Sequence, residues 1–519
     1  MSKSKLLYTG TDWTMDKLLK SWAVVDDMAK NQLGLSYYEP QFEIVSFDHM
    51  LDACSSHGLP NMYPHWSFGK EYVSSYSEYL KNGHMANEII INTDPAIAYM
   101  VENNTMTQML TVMCHASVGH SNFFKENYCF KQWTQSRFII DYLEFAKDYI
   151  QDCEERYGVA LVEQTLDAAH SLSHFSVDKY NHSRSKLRKT DIETRTAEWI
   201  KYGATNYNDL YSTIPGNSSD DEIADIHRIV RELELSRREL PEENLLYFIE
   251  KHGRLEDWQR EIVRIVRKIA QYFYPQMQTK VMNEGWATWI HYSMMKMLRD
   301  QNYIDDGAYL EFLEFHSAVI GVAVSKRFPL HEHVTPYALG FAMFRDLDRI
   351  CREPTAKDEQ WFPELCNTDP WKTLPTIMST YRDESFILQY LSKPVADDFK
   401  MVITSAPSDT IGNLTEEDIY DSPPGATHWL RVLEVADEDG LVPLRQELAK
   451  RYDIGFGLPQ IAIVRVDDDG YLVIEFKSID GLLLDRKMTV KTMAQLRYLW
   501  GGQAGISYID EDGSEIPMA

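Results

Sequence analysis

The chain has 519 residues and a formal net charge of −27 at pH 7, so it is acidic and longer than one hydrophobic core usually supports. Because nucleic acids and anionic membranes both attract lysine and arginine, this charge argues against nonspecific binding to either. With 44% hydrophobic residues, the composition is that of a globular protein and not of a disordered one.

The cysteines and the N-terminus indicate a cytoplasmic protein. The six cysteines are scattered without a C-x-x-C pair, which is typical of reduced thiols and not of a disulfide framework. The N-terminal residues lack the apolar core of a signal peptide. No apolar run reaches the roughly 18 residues that a membrane-spanning helix requires, so we expect no membrane insertion.

Helical periodicity dominates the first 395 residues. Residues 88–92 are strand-like or buried, and the segment after Pro95 is expected to run into a long helix through residue 127. Other helices are predicted at 12–33, 135–157 and 160–180 and, after a polar stretch at 181–221, at 221–237, 241–251, 256–272, 279–294, 307–323 and 337–351. The fold class is therefore mainly α, with residues 1–395 as one large helical domain.

The remaining residues, 396–519, have the pattern of a smaller α+β domain. Strands are predicted at 428–436, 460–466, 471–477 and near Ile506, with helices at 441–452 and 489–500. The order β-α-β-β-α-β is typical of a ferredoxin-like fold. No catalytic pattern lies in this part, so we expect it to serve docking or oligomerisation.

The predicted helix at 279–294 carries two polar side chains in an apolar context. Glu284 and His291 are seven residues apart, which is two helical turns, so they share one face beside Trp286 and Trp289. The pattern favours a buried polar site. The alternative is a core helix whose two polar residues simply satisfy each other or their neighbours.

A second candidate pair lies upstream, at His115 and His120. Imidazoles with nearby carboxylates are natural ligands for zinc or iron. Five residues of regular α-helix would place these side chains about 140° apart, so they would not converge. They converge if Gly119 ends the helix or if a π-bulge occurs, and such bulges favour functional sites. His65 and Glu88 are further candidates, each explained more simply by a structural role.

A third group lies on the predicted helix at 160–180. Asp167, His170 and His174 are separated by three and four residues and so share one face, which is a frequent arrangement of metal ligands. A polar face that meets solvent explains the same pattern. Glu154 and Glu155 could supply carboxylates to this cluster. No G-x-S-x-G, Walker A, G-x-G-x-x-G or H-E-x-x-H motif is present.

Long aromatic-rich motifs closely resemble those of the stage V sporulation protein R (SpoVR) family. They are MYPHWSFGK (62–70), NEIIINTDPAIAYMVENNT (87–105), HASVGHSNFFKENYCF (115–130), DYIQDCEERYG (148–158), NLLYFIEK (244–251), WQREIVRIVRKIAQYFYPQMQTKVMNEGWATWIHY (258–292) and PYALGFAMF (336–344). Two departures are Thr335, where the family usually has Asn, and His174, which is not a family feature although His170 is.

The resemblance implies a cytoplasmic protein from a family named for its role in forming the spore cortex. Such proteins also occur in non-sporulating bacteria and in some bacteriophages. They are often encoded beside a serine protein kinase with an ATPase module and a von Willebrand-type metal-site protein. The resemblance therefore implies these two partners and a role in a stress-response or cell-envelope complex.

A looser likeness concerns the E-G-W-A segment, which is similar to a helix of gluzincin-type zinc peptidases. Carried over to this chain, it implies that His115, His120 and Glu284 bind zinc. The peptidases have a glutamate as general base directly after the first histidine, where this chain has Ala116. Hydrolysis would then need another carboxylate, such as Glu154 or Glu155, to activate water.

The leading hypothesis is therefore a zinc peptidase-like hydrolase, in which His170, His291 and Glu155 support the metal ligands or bind a second metal. One alternative is a non-catalytic regulator or scaffold for the kinase-type ATPase partner. A second alternative is a di-iron carboxylate protein, although no E-x-x-H pair occurs among its candidate ligands. Those ligands would be Glu88, Glu155, His170, Glu284 and His291.

Overall fold

A computed structural model of the chain describes most of its residues. The described ranges are 5–56, 58–82, 88–177, 240–321, 335–405, 431–435, 437, 439–453, 458–467, 469–478 and 484–509. The predicted polar stretch at 181–221 and helix at 221–237 lie outside them. The chain forms two compact units, residues 1–166 with 268–458 and residues 167–267 with 459–519.

Helices dominate the structure, which confirms the mainly α fold class. The α-helices are Met15–Asp27, Phe47–Ser55, Trp66–Asn82, Met106–Val112, Ser121–Glu126, Tyr128–Trp133, Ile139–Tyr157, Val159–Ser171, Leu245–His252, Asp257–Gln278, Lys280–Asp300, Asp306–Val319, Pro336–Arg352, Ala356–Trp361, Pro370–Thr380, Asp383–Tyr390, Lys393–Asp398, Leu441–Tyr452 and Arg486–Trp500. Two segments are π-helical, Met28–Gln32 and Met113–His120, and Ser173–Phe175 is a 3₁₀ turn. Across the described residues, none of these helices combines the length and apolarity needed to span a bilayer.

The helix Lys280–Asp300, here called the central helix, lies in the core of the first unit. It packs closely against Pro336–Arg352 on one side and against the π-helical segment Met113–His120 on another. Most of its side chains are buried, among them Trp286, which is 0% exposed. A helix apolar on nearly all sides is the expected pattern for an element surrounded by other helices.

The N-terminus of the central helix is capped from a distant part of the chain. The helix begins after Thr279, whose side chain makes no capping hydrogen bond. The carboxylate of Asp383 accepts hydrogen bonds from the backbone N–H groups of Val281 and Met282, each at 2.8 Å. These are two of the donors that a helix start leaves unpaired, and a negative charge is favourable at that end. The cap therefore fixes where the central helix begins.

A three-stranded sheet lies in the same unit. Its middle strand, Ala96–Val101, pairs in parallel with Pro40–Val45 and antiparallel with Glu88–Ile91. The predicted long helix after Pro95 is therefore wrong at its start: residues 96–101 alternate between buried and half-buried positions as a strand does, and the helix begins at Met106. The strand-like character predicted at 88–92 is confirmed.

The C-terminal part contains all six predicted elements in the predicted order, but their pairing is not ferredoxin-like. The strand Arg431–Val435 pairs with Val402–Ser405 in a sheet of two strands. The strands Gln460–Val466, Leu472–Lys477 and Ala504–Ile509 form a separate sheet in that order, its last two strands parallel. A ferredoxin-like fold would join the first strand to this sheet, and within the described residues the first strand has taken another partner.

The helix Leu441–Tyr452 packs against Asp383–Tyr390 and so belongs to the first compact unit. The two compact units therefore do not coincide with the two predicted domains, residues 1–395 and residues 396–519. Whether the piece 396–519 folds and docks independently stays a prediction.

Candidate metal centre

The π-helical segment Met113–His120 brings the two predicted histidines together. In a π-helix the hydrogen bonds run from residue i to i+5, so residues five apart lie on one face. The rings of His115 and His120 have centroids 4.6 Å apart, and their Nε2 atoms are 3.1 Å apart. All eight residues of the segment are buried. The convergence that a regular α-helix would exclude is therefore present.

Packing against the central helix accommodates this segment. A Cβ atom on Gly119 would lie 2.6 Å from Cα of Ala287, closer than real Cβ contacts allow. Glycine at this position lets the π-helical backbone approach the central helix directly. Upstream, the preceding helix starts with a capping box in which the side chains of Thr105 and Gln108 each accept from the other's backbone N–H.

Glu284, on the central helix, completes a cluster of three potential metal ligands. Its Oε2 lies 3.3 Å from Nε2 of His120 and 3.8 Å from Nε2 of His115. One ligand atom from each of the three residues lies within 4.8 Å of the other two. Oε2 of Glu284 is buried and, within the described part of the chain, has no hydrogen-bond partner. An unpaired buried carboxylate oxygen is costly and calls for a cationic or hydrogen-bonding partner.

Four imidazoles lie in a row, and their hydrogen bonds determine which ring nitrogens could bind a metal ion. They belong to His120, His115, His291 and His316. Nδ1 of His120 lies 2.9 Å from Oδ1 of Asn283, and because an amide oxygen can only accept, this nitrogen carries a proton. Nδ1 of His115 lies 2.9 Å from Nδ1 of His291. Nε2 of His291 lies 2.9 Å from Nδ1 of His316. Burial lowers the pKa of His291, and it lowers the pKa of His316 to about 4, so both rings are neutral near pH 7.

These contacts allow two arrangements of the protons. In the inward arrangement, Nε2–H of His115 donates to the lone pair on Nε2 of His120. In the outward arrangement, His115 donates to His291 and His291 donates to His316, so that Nε2 of His115 and of His120 both present lone pairs. The outward arrangement is the one that a cation bound between these nitrogens requires. In both of these arrangements the rings are neutral and Nε2 of His120 carries no proton; when His120 is protonated there as well, that N–H faces Oε2 of Glu284 at a distance of 3.3 Å.

The charges of the cluster depend on one another. Burial, assisted by the neighbouring His120, lowers the pKa of His115 to about 3. Burial would also lower the pKa of His120, but the Glu284 carboxylate outweighs it and raises that pKa. Burial would raise the pKa of Glu284, yet His120 outweighs it and lowers that pKa. The cluster therefore attracts positive charge, for which a proton and a metal ion compete.

Glu88 places a second carboxylate at this cluster. It is the first residue of the edge strand Glu88–Ile91, and its Oε1 lies 3.6 Å from Nε2 of His115. Burial raises its pKa to about 7. Ala116, which stands where gluzincins have their base, is fully buried in the π-helical segment. The carboxylate beside the histidines thus comes from the neighbouring strand.

Tyr337, near the start of the helix Pro336–Arg352, also faces the cluster. Its hydroxyl hydrogen-bonds to the Glu284 carboxylate, and its ring is nearly parallel to that of His115 at a centroid distance of 6.5 Å. Burial raises the pKa of Tyr337, which keeps the hydroxyl protonated. Thr335 caps this helix by accepting from the backbone N–H of Ala338 at 3.1 Å. Since Asn and Thr both serve as N-caps, this departure from the family pattern preserves the local structure.

The other predicted site residues are not part of this cluster of three. Glu154 lines a separate cavity of about 460 Å³ together with Tyr63, His65 and Trp66, and none of the three clustered residues lines it. Glu155 is exposed on the same helix as Glu154. His170 is half-buried on Val159–Ser171 and falls in the second compact unit. His291 contacts the cluster, but through hydrogen bonds that occupy both of its ring nitrogens.

Three residues that contact the cluster or extend its hydrogen-bond network were not predicted from the sequence. Asn283 precedes Glu284 directly, so its presence in the N-E-G-W motif was the available signal. Tyr337 is the second residue of the P-Y-A-L-G motif. His316 lies on Asp306–Val319 without any pattern that marks it. A hydrogen-bond partner this far along the chain is visible only in the fold.

Comparison with protein families matches residues 12–422 to the family described as SpoVR like protein. The chain is also 39% identical over 513 residues to a protein of Escherichia coli (strain K12), in an alignment that covers 98% of this chain and 95% of the relative. That relative is named "Uncharacterized protein YcgB", a name that assigns it no activity. No solved structure is significantly similar to the chain.

Proposed function

The chain belongs to the SpoVR family, and from that premise and the geometry of the cluster we propose that it is a metal-dependent hydrolase of the zinc-peptidase type. The ion would be held by Nε2 of His115, Nε2 of His120 and Oε2 of Glu284. The observation that carries this proposal is the convergence of these three atoms, with the carboxylate oxygen buried and lacking a hydrogen-bond partner among the described residues.

The set of donors fits zinc. Two imidazole nitrogens and one carboxylate oxygen are the protein ligands of many catalytic zinc sites, which keep a further position for water or substrate. Bound there, a zinc ion would supply Lewis acidity and lower the pKa of a water ligand. Nδ1 of His120 is hydrogen-bonded to Asn283, and Nδ1 of His115 is hydrogen-bonded to His291. These bonds would hold the rings in place, as outer partners of metal-binding histidines commonly do.

Glu88 is the proposed general base, in place of Glu154 or Glu155. Its carboxylate is 3.6 Å from a proposed ligand atom, whereas Glu154 lines a different cavity and Glu155 is exposed. A base must lie within hydrogen-bond reach of the water that it deprotonates, and proximity to the ligand atoms is the first requirement. Glu88 would accept a proton from the attacking water and return it to the leaving group.

Two alternatives remain separable by experiment. In the first, the protein is a scaffold for the kinase-type ATPase partner, and the same cluster is a hydrogen-bonded core without metal. We propose that such a scaffold would act in a cell-envelope or stress-response complex. A di-iron centre would need ligands for a second ion. Among the described residues, the metal-ligating side chains that converge form one group of three.

The test of the proposal is the metal content of the protein. We expect full-length protein purified without chelators to contain about one zinc ion per chain by elemental analysis. The Glu88→Gln variant should keep this ion, because Glu88 is not a proposed ligand, yet lose at least about a hundredfold in hydrolysis of a labelled casein substrate. His170→Ala should leave both unchanged. Absence of any stoichiometric metal in wild-type protein would contradict the proposal and favour the scaffold.

His316 gives a second prediction, since it accepts the last proton of the outward arrangement. His316→Ala removes that acceptor and should weaken zinc binding by about 10–100-fold, the usual effect of losing an outer partner. His316→Gln offers an amide oxygen and should recover most of the loss. Competition with a chromogenic chelator measures the affinity, and ¹⁵N chemical shifts of His115 report its tautomer. Equal affinities for all three proteins would show that the tautomer of His115 is set elsewhere.

A further inference from the structure

A buried arginine in the first compact unit has no acidic partner among the residues that the structure describes. Arg445, on the helix Leu441–Tyr452, is 7% exposed. Its Nε donates a hydrogen bond of 2.6 Å to the carbonyl oxygen of Leu391, the residue that caps the C-terminus of the helix Asp383–Tyr390. A cation is favourable at a helix C-terminus, and this hydrogen bond satisfies one of the five N–H donors of the guanidinium.

The terminal nitrogen Nη2 of the same guanidinium is in a different situation. Nη2 of Arg445 is buried and has no hydrogen-bond partner within the described residues. The guanidinium carbon lies 4.8 Å from the ring centroid of Trp361 and 5.6 Å from that of Phe362. Burial lowers the pKa of Arg445 to about 10, with no carboxylate opposing that change. A buried charge without a counter-charge is one of the costliest arrangements in a folded protein.

Another arginine of the same unit shows the usual solution. Arg349 donates from Nε to Asp346 at 2.8 Å, and from Nη1 and Nη2 to Asp358 at 2.8 and 3.2 Å. Its guanidinium is therefore matched by two carboxylates. Arg445 is more buried than Arg349 and has no carboxylate partner within the described ranges, so its missing counter-charge is not a general feature of this fold.

We propose that Arg445, beside the rings of Trp361 and Phe362, binds a small oxyanion, either a carboxylate or a phosphate group of a ligand. The planar fork of a guanidinium matches both groups with two parallel hydrogen bonds. Trp361 is 40% exposed, so the aromatic side of the site reaches the surface. The aromatic faces hold the guanidinium in one orientation, and its Nη2 lacks a hydrogen-bond partner among the described residues. This site is independent of the metal centre.

Thermal unfolding of the full-length protein tests the proposal. Inorganic phosphate and acetate are titrated separately at constant ionic strength, with chloride as the balancing anion. We expect one of the two to raise the Tm of wild-type protein saturably, by about 1–3 °C at tenfold excess over its dissociation constant. The anion that acts identifies the group, phosphate or carboxylate. A general salt effect would instead rise without saturation and equally in all variants.

Substitutions separate this site from a purely structural arginine. Arg445→Met removes an unpaired buried charge, so it should raise the Tm in chloride and abolish the saturable response. Arg445→Lys keeps the charge without the fork and should weaken anion binding about tenfold or more, which keeps the test valid if the methionine variant does not fold. Arg349→Met, the matched control, should lower the Tm and keep the response. No saturable response to either anion in wild type, or an equal response in the Arg445 variants, would overturn the proposal.

Discussion

Replacing Glu284 by glutamine is expected to lower the affinity for zinc by about a hundredfold or more while leaving the fold intact. If the roughly 10–16 kcal/mol of a stable zinc site is shared among four ligands, each contributes about 3 kcal/mol, or a factor of about 150. Glutamine keeps the size of the side chain and loses its charge. It also offers a carboxamide whose N–H₂ group cannot bind a cation.

Metal affinity and stability together decide how this result is interpreted. His115→Ala and His120→Ala should match the loss in Glu284→Gln, because each removes one ligand. Asp300→Asn, at the exposed end of the same helix, is the control and should retain full affinity. In the metal-centre interpretation, Glu284→Gln lowers the Tm of zinc-loaded protein and hardly changes that of metal-free protein. A similar loss of Tm in both forms, with zinc affinity unchanged, would mean that Glu284 is a core hydrogen-bonding residue.

The two histidines show how far sequence patterns reach into this site. Their spacing of five residues is incompatible with convergence on an α-helix, so the sequence restricts the choice to a helix end or a π-helical turn. It cannot select between them, because the π-helical segment depends on tertiary packing. Gly119 lies against Ala287, a residue from a helix far along the chain. The structure adds that contact and thereby decides the local geometry.

The residues around the histidines were harder to predict for the same reason. Glu88, His316 and Tyr337 come from a strand and two helices that meet only in the folded protein. Glu154 and Glu155 were the predicted bases in place of the glutamate that Ala116 replaces, but sequence separation gives no distance between them and the histidines. A local pattern reports which face a side chain occupies, but not which other element that face meets.

The C-terminal strands make the same point for the fold. Each predicted strand and helix exists, because alternation and turn residues are local signals. The ferredoxin-like pairing of the first strand was wrong, because that pairing depends on contacts between elements that are distant in sequence. The strand Arg431–Val435 pairs with Val402–Ser405, a strand that was not predicted at all. Element order alone therefore did not determine the topology.

Replacing Gly340 by alanine is expected to destabilise the first unit by at least about 3 kcal/mol, as severe overpacking does. A Cβ atom at this position would lie 2.1 Å from the carbonyl oxygen of Val281 and 2.7 Å from Cα of Gly285. These are backbone atoms of the central helix, which cannot move away as a flexible side chain can. The helix Pro336–Arg352 would have to shift outward, and Tyr337 and its contact with Glu284 would shift with it.

Gly69→Ala is the matched control, because Gly69 also lies within a helix but has nothing within 4 Å of its Cβ position. There the intrinsic preference of helices for alanine acts alone, so this variant should be more stable by about 0.5–1 kcal/mol. Urea unfolding of both variants measures the two changes. Opposite signs would show that close backbone packing at Gly340, and not helix propensity, determines its effect. Zinc affinity should fall only in Gly340→Ala, since that substitution alone displaces a helix that contacts the metal centre. If both glycines respond alike, the close approach of these helices is not needed to hold the site together.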